Sequence, residues 1–340
     1  MSKLSVKEID SKVVWEKYLL SKKPGTFLQS WNWGETNKAA GSKIMRFGYF
    51  QKGKMIGCVQ IIDQPAKRGH HLLIPGGPVI DYENHKVVAF VTKHLKTIAL
   101  KSKSWFVRIR PDIKESPDLL STLSEEGFKP APMHVHGEHT LILDIDKNEE
   151  EILKNMRKTT RYLIKKSQSE GFKIRRTTDV EDVDILYELQ DETVKRHKFV
   201  GFKKKLFEAE LSTFGLDNQA EIFICEKDKR PLVAAIVIYY GEKAFYHHSG
   251  SSESARHMNA SYFTQWEIIK ASKEKRMRYY DFWGIAPTDG PKHRFAGVTV
   301  FKKGFGGEKV DWAHAHDLPT SGKYWLTFAF ETGRRLSRNL

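Results

Sequence analysis

Cysteine is nearly missing from this chain of 340 residues. Its two cysteines, Cys58 and Cys225, stand far apart, each inside an apolar run. That excludes a disulfide-stapled fold and zinc motifs built on paired cysteines, and it fits buried thiols in a reducing compartment. No apolar run approaches the roughly 20 residues that cross a bilayer. The opening MSKLSVKEIDSK is polar where a secretion signal carries an apolar core, so a cytoplasmic location is expected. Nucleophile-elbow GxSxG and zinc-protease HExxH patterns are also absent. Acid is the minority charge: 42 Asp and Glu against 57 Lys and Arg, a formal net charge of +15. Such an excess speaks about partners rather than fold. Nucleic acid, anionic headgroups and phosphorylated small molecules fit it, and so does a soluble lysine-rich surface.

What is present points to a globular protein of two domains. The chain is 40% hydrophobic and 12% aromatic, and it is too long for one typical core. Four segments recur in order about 174 residues later (52 to 227, 71 to 244, 87 to 261, 105 to 279). KGKMIGCVQIID and KDKRPLVAAIVIYY read as a turn and an apolar strand. HLLIPGGP and AFYHHSGSS read as short strands running into small-residue loops. VVAFVTKHLKTIAL and SYFTQWEIIKAS carry helical spacing, through Val88, Val91, Leu95 and Ile98 and through Phe263, Trp266 and Ile269. WFVRIRP and YYDFWGI read as buried strands. The pattern predicts a mixed α+β chain holding two copies of one β-β-α-β unit. The charged stretch DIDKNEE marks the boundary: residues 1–145 form the first domain, completed by 311–340, and 146–310 form the second. The terminal segment has no counterpart in the other copy. Tyr324, Trp325, Phe328 and Phe330 are expected to cover apolar surface of the first domain.

EEILKNMRKTTRYLIKKSQSEG predicts one helix stopped at Gly171. Ile152, Met156, Leu163 and Ile164 form its apolar stripe. Lys154, Lys158, Arg161 and Lys165 lie on another face, either a phosphate track or a solvated surface. Strand–strand–helix–strand units suggest acyl transfer of the acetyltransferase kind. Those enzymes hold coenzyme A pyrophosphate on a [QR]-x-x-G-x-[GA] loop before the helix. Neither GSSESARHMNA nor GGPVIDYENHK supplies it, and RFAGVT comes after the last strand. HVHGEH offers His134, His136 and His139 without an evident carboxylate or cysteine partner, so no metal is expected. HAH (314–316) reads as a strand edge. Asp281, framed by aromatics in YYDFWGI, either closes a buried hydrogen-bond network, the preferred reading, or touches substrate. In FLQSWNWGETNK, Ser30 is a candidate N-cap. Trp31 and Trp33 are two apart, so they do not share a helical face and one should look into a groove. In VFKKGFGG, read as an extended segment, Lys302 and Lys303 stand between Phe301 and Phe305, either covering a strand edge or framed for chemistry, and the glycines are expected to allow close approach of substrate.

FLQSWNWG, MRKTTRYLIKKSQSEG, YYDFWGI and FKKGFGG occur in the order seen in the FemABX aminoacyltransferases, and the chain resembles that family over nearly its whole length. The resemblance implies two acetyltransferase-like domains and an amino acid taken from aminoacyl-tRNA, with no coenzyme A and no other cofactor. It implies transfer to the stem-peptide amine of an anionic peptidoglycan precursor, carried by UDP or by lipid II. No long heptad run falls between 178 and 220, so the chain resembles members that lack a coiled-coil arm. Lys302 and Phe301 match the family's Phe-Lys pair, whose lysine steadies negative charge at the reacting carbonyl. Lys303 and the tryptophans Trp31 and Trp33 fall in substrate-binding motifs. Lys38 matches a phosphate-binding lysine, and Tyr246 a substrate-facing tyrosine. A second phosphate ligand is Arg196 or one of Lys203, Lys204 and Lys205. Arg110 stands before Pro111 where some members have Asp. On this reading Lys154, Lys158, Arg161 and Lys165 meet tRNA. The enzyme is expected to be a monomer without DNA as partner, able to touch the membrane surface. The alternatives are a nucleic-acid-binding protein without transferase activity and an acetyltransferase-type enzyme acting on another amine.

Overall fold

The computed structural model describes residues 3–23, 25–66, 69–197, 200–291 and 293–338. They fall into two compact units, Met1–Glu138 with Asp311–Leu340, and His139–Val310.

The first unit is built on a seven-stranded sheet in the order Leu4–Glu8, Lys43–Gln51, Lys54–Ala66, Gly69–Pro75, Phe106–Arg110, His316–Pro319, Lys129–Pro130. Its one parallel pair is Gly69–Pro75 with Phe106–Arg110. Parallel neighbours need a crossover, and the helix His85–Lys101 supplies it. Val87, Val91, Leu95 and Ala99 on that helix pack on Ile61, Leu72, Ile74 and Val107 of the sheet. The C-terminal segment returns to this sheet, where His316 pairs with Ile109 and Pro319 with Phe106. Tyr324 is buried against Phe106. The expectation for the rest of the terminal helix needs correcting. Trp325 is 51% and Phe330 46% exposed, so these two point away from the core they were expected to cover.

The second sheet runs Glu308–Asp311, His139–Asp144, Tyr279–Gly284, Lys243–Ser251, Arg230–Tyr240, Ala220–Lys227, Lys173–Thr177. Here too one hairpin, one crossover helix (Ala260–Glu274) and one parallel pair follow in order, with Ala244 beside Tyr280. The repeat seen in sequence is therefore the β-β-α-β core of both sheets. The strand His139–Asp144 pairs with Tyr279–Gly284, so the division falls at 138/139 rather than 145/146. Among the described residues, the α-helices between 178 and 220 are Val183–His197 and Lys204–Gly215, 15 and 12 residues long.

The basic stretch is two helices, not one. Glu149–Asn155 opens on a capping box between Asn148 and Glu151, and Lys158–Ser167 follows after Met156 leaves the helical conformation with ψ 157°. Arg161 turns back across the break, its Nη1 donating to the carbonyls of Lys154 (3.1 Å) and Met156 (2.5 Å). It satisfies carbonyls that a helix end leaves open. The four cations thus do not share one continuous face. Lys154, Lys158 and Lys165 remain exposed.

Candidate active site

VFKKGFGG is not an extended segment: Lys302 and Lys303 close the helix Ala296–Lys303. Sequence reasoning gave the glycines to close approach of substrate, but the chain's own packing accounts for them. A Cβ at Gly304 would collide with the Thr160 hydroxyl. One at Gly306 would lie 3.0 Å from the Asn155 carbonyl oxygen, and one at Gly307 2.6 Å from that of Ile142. Gly306 and Gly307 also hold φ of 84° and 90°, where side chains are strained. The carbonyl of Gly304 accepts from the Arg157 amide at 2.9 Å, fixing the start of the second basic helix.

Lys302 is buried at 7% exposure, and its Nζ donates to the Gly284 carbonyl at 2.7 Å. Burial pushes this ammonium down to about 8, although the Asp281 charge favours the protonated form. Asp281 is itself buried, and its Oδ1 accepts the Trp283 amide at 2.7 Å. Trp283 sits at φ 62°, a costly conformation for an indole-bearing residue, and the tight turn it makes precedes the carbonyl that Lys302 grips. One turn earlier on the same helix, Thr299 Oγ1 accepts the Ala286 amide at 2.8 Å. Lys302 and Thr299 thus clamp the loop leaving the strand Tyr279–Gly284. Around the lysine, Phe301 and Phe305 meet Tyr262 with ring centres 5.0 and 5.8 Å apart. Lys303 points elsewhere, pairing with Asp289 at 2.5 Å.

Tyr246 packs on the same core cluster as Phe301, and its hydroxyl is raised by burial. Beyond it the register jumps: Tyr246 lies opposite Val237 but His248 opposite Ile236, so His247 is a bulged residue. The bulge brings the His247 and His248 rings to 3.9 Å, both on the buried Glu210 of the helix Lys204–Gly215. Burial opposes ionisation of Glu210, yet the two imidazoles hold it down to about 2, while burial and His247 push His248 down to about 4. His247 also meets Trp283 edge-on at 5.0 Å. Nothing in AFYHHSGSS but the adjacent histidines signalled this group, because a bulge cannot be read from alternation.

The remaining sequence candidates scatter. Arg196 is engaged by the Ser251 carbonyl and hydroxyl and by Glu253. Lys204 is engaged by Asp184 and Glu208. In the first unit, Lys38 is an exposed residue of the helix Trp31–Ala39, 3.9 Å from Glu35. Ser30 caps that helix, accepting from the Trp33 amide. Trp33 is core, and Trp31 lies half-buried under the Arg46 guanidinium at 3.7 Å. FLQSWNWG is locked to the sheet: the Gln29 side chain donates to the Gln60 carbonyl and accepts from the Gln60 amide, the Gln60 side chain donates to the Ser30 carbonyl and accepts from Arg46, and a Cβ at Gly34 would collide with both Gln60 and Arg46. Arg110 is buried, with the Asp112 carboxylate 3.8 Å away, two positions past the expected one. HVHGEH needs a correction as well. Its carboxylate partner is Glu138, inside the motif, 2.6 Å from His134 and 2.7 Å from the distant His314.

Comparison with known proteins follows this geometry. A family model described as the FemAB family matches residues 11–228 and 216–331. A lipid II:glycine glycyltransferase of Staphylococcus aureus is 22% identical over 368 residues, covering 86% of this chain and 87% of its own length. Its counterpart in Staphylococcus epidermidis is 20% identical with the same coverage. The crystal structure of FemX superposes with a TM-score of 0.83 at 20% identity, covering 96% of this chain and 100% of that one. A tandem GNAT protein from the clavulanic acid pathway has a TM-score of 0.59 at 9% identity, covering 94% and 99%. The two sheets are thus tandem acetyltransferase-like units, and the chain belongs to the FemAB family.

Proposed function

We propose that this protein is an aminoacyltransferase that moves an amino acid from aminoacyl-tRNA to the stem-peptide amine of an anionic peptidoglycan precursor. The observation that carries this reading is Lys302, a buried cation bonded to the Gly284 carbonyl, in a run whose resemblance to the family's Phe-Lys pair suggested it. The curated relatives are named for glycine transfer to lipid II, which supports the acceptor class.

In the reaction, the acceptor amine nitrogen attacks the carbonyl carbon of the aminoacyl ester, and the carbonyl electrons move onto oxygen. The tetrahedral oxyanion then collapses, a peptide bond forms, and the ribose oxygen leaves with the proton the amine gives up. The ester is already activated, so no serine or cysteine nucleophile is needed. A cation fixed beside the developing oxyanion in a dry site lowers this barrier most. With its ordinary value brought down to about 8, Lys302 is mainly protonated at neutral pH and able to serve. The same burial makes it titrate near the working range, unlike the permanent charge of a solvated lysine. Lys154, Lys158 and Lys165 supply exposed charge for an RNA backbone.

The test incubates the protein with a mixture of charged tRNAs and with UDP-linked and lipid-linked precursors, read by mass. A precursor heavier by one amino-acid residue, formed only with charged tRNA, is expected. Binding of RNA with no transfer would overturn the proposal, and transfer from acetyl-coenzyme A would replace the donor.

A further inference from the structure

The terminal helix Tyr324–Arg338 wears its amphipathicity inside out. Its inner face is held by polar groups. Glu331 accepts from Arg108 at 2.7 Å, the Tyr324 hydroxyl donates to Asp317 at 3.3 Å, and Thr327 is buried. At about 100° per residue, Trp325, Leu326, Ala329, Phe330, Gly333 and Leu336 fall within one arc of about 140°. All six are exposed, Leu326 by 68% and Leu336 by 69%. Surface hydrophobics usually stand singly, whereas here an apolar stripe, with Ser337 as the one polar residue inside its arc, faces outward.

Its margins are basic. Lys323 and Arg334 flank the arc on one side. Lys129 lies 6.0 Å from the Trp325 ring, and Lys323 5.8 Å from that of Trp105. Lys103, two residues before Trp105, is exposed as well. The single acid of the helix, Glu331, is turned inward to Arg108. Fifteen residues reach about 22 Å, short of a bilayer core. Among the described residues no helix is long and apolar enough to cross one. An apolar stripe with tryptophan and a cationic rim is the form of a helix that lies in the interface of an anionic membrane.

We propose that this stripe seats the protein on an anionic lipid surface, Trp325, Leu326, Phe330 and Leu336 entering the headgroup boundary and the flanking cations meeting lipid phosphate. The inference rests on the proposed function only for its purpose, which is to bring the site to a lipid-linked acceptor.

The test uses the full chain and vesicles without any precursor, made of phosphatidylglycerol and phosphatidylcholine in equal parts or of phosphatidylcholine alone. Co-flotation with the anionic vesicles is expected, weakened by salt. Leu326→Gln with Phe330→Gln should lower partitioning about tenfold or more, since each side chain withdraws substantial apolar area from water. Both positions are exposed, so the melting temperature should hold. A parent that stays with neither vesicle, or a double variant that floats like the parent, overturns the proposal. So does a parent that is dimeric in solution and binds no vesicle while the double variant is monomeric, because a second copy then covers the stripe. Transfer to a water-soluble UDP-linked precursor should be equal for parent and variant. Failure of that transfer in the parent would count against the enzymatic reading and leave the vesicle result to be judged by itself.

Discussion

Arg108 in the first unit and Lys302 in the second are both buried cations, 5% and 7% exposed, and their surroundings could hardly differ more. Arg108 spends its fork on two carboxylates, bonding Asp317 at 2.7 and 2.8 Å and Glu331 at 2.7 and 3.3 Å. Its proton is held more firmly than in water despite burial. Lys302 has a carbonyl, a nearby Asp281 charge and aromatic neighbours, and its proton is held less firmly. The first cation fastens the returning C-terminal strand and helix to the sheet. The second is a charge kept where folding would prefer none, and groups of that kind cluster at sites of chemistry.

Four substitutions or deletions sharpen the contrast, in falling order of effect on stability. Deleting 318–340 removes half of the strand His316–Pro319, with Glu331 and Tyr324. The first unit should lose its cooperative melt by circular dichroism, and an unchanged melt would show that the segment is dispensable. Arg108→Leu leaves the buried Asp317 and the half-buried Glu331 without their cation and should cost about 3–5 kcal/mol in denaturant titrations. Lys302→Met should act in the opposite direction. The lysine's value is about 8 when folded against 10.5 ordinarily, so between those pH values the unfolded chain binds more protons and parent stability rises with pH. Below that window the parent carries the full penalty, of order 3 kcal/mol. Lys302→Met should recover part of it at pH 7 and flatten the dependence between pH 8 and 10. A variant less stable than the parent at pH 7 would mean that the bond to Gly284 outweighs desolvation. Lys303→Met, which loses only an exposed pair with Asp289, should stay within about 0.5 kcal/mol.

The repeat was legible because each copy keeps short apolar strand runs around a helix of period 3.6, and that order survives low identity. The return of the C-terminus was legible from its lack of a counterpart. Less visible were features set by contacts distant in sequence. The break at Met156 is stabilised by Arg161 reaching backwards, while the residue pattern around it still reads as continuous helix. The helical state of Lys302 was masked by the following glycines, whose positions answer to Thr160, Asn155 and Ile142. Glu210 lies 37 residues from His247 and Glu138 lies 176 from His314, separations that no local motif spans. Trp325 and Phe330 were placed inward because hydrophobicity was taken as burial, where the helix pattern alone would have put them on the face opposite Glu331.

The most direct test is the single-turnover rate of acyl transfer by Lys302→Met beside Lys303→Met, with acceptor affinity measured separately. If the Lys302 ammonium stabilises the oxyanion, the first change should slow transfer about a hundredfold or more with acceptor binding little altered. The second should cost no more than about threefold, in keeping with an exposed pair. Equal losses from the two substitutions, or full activity in Lys302→Met, would contradict the account.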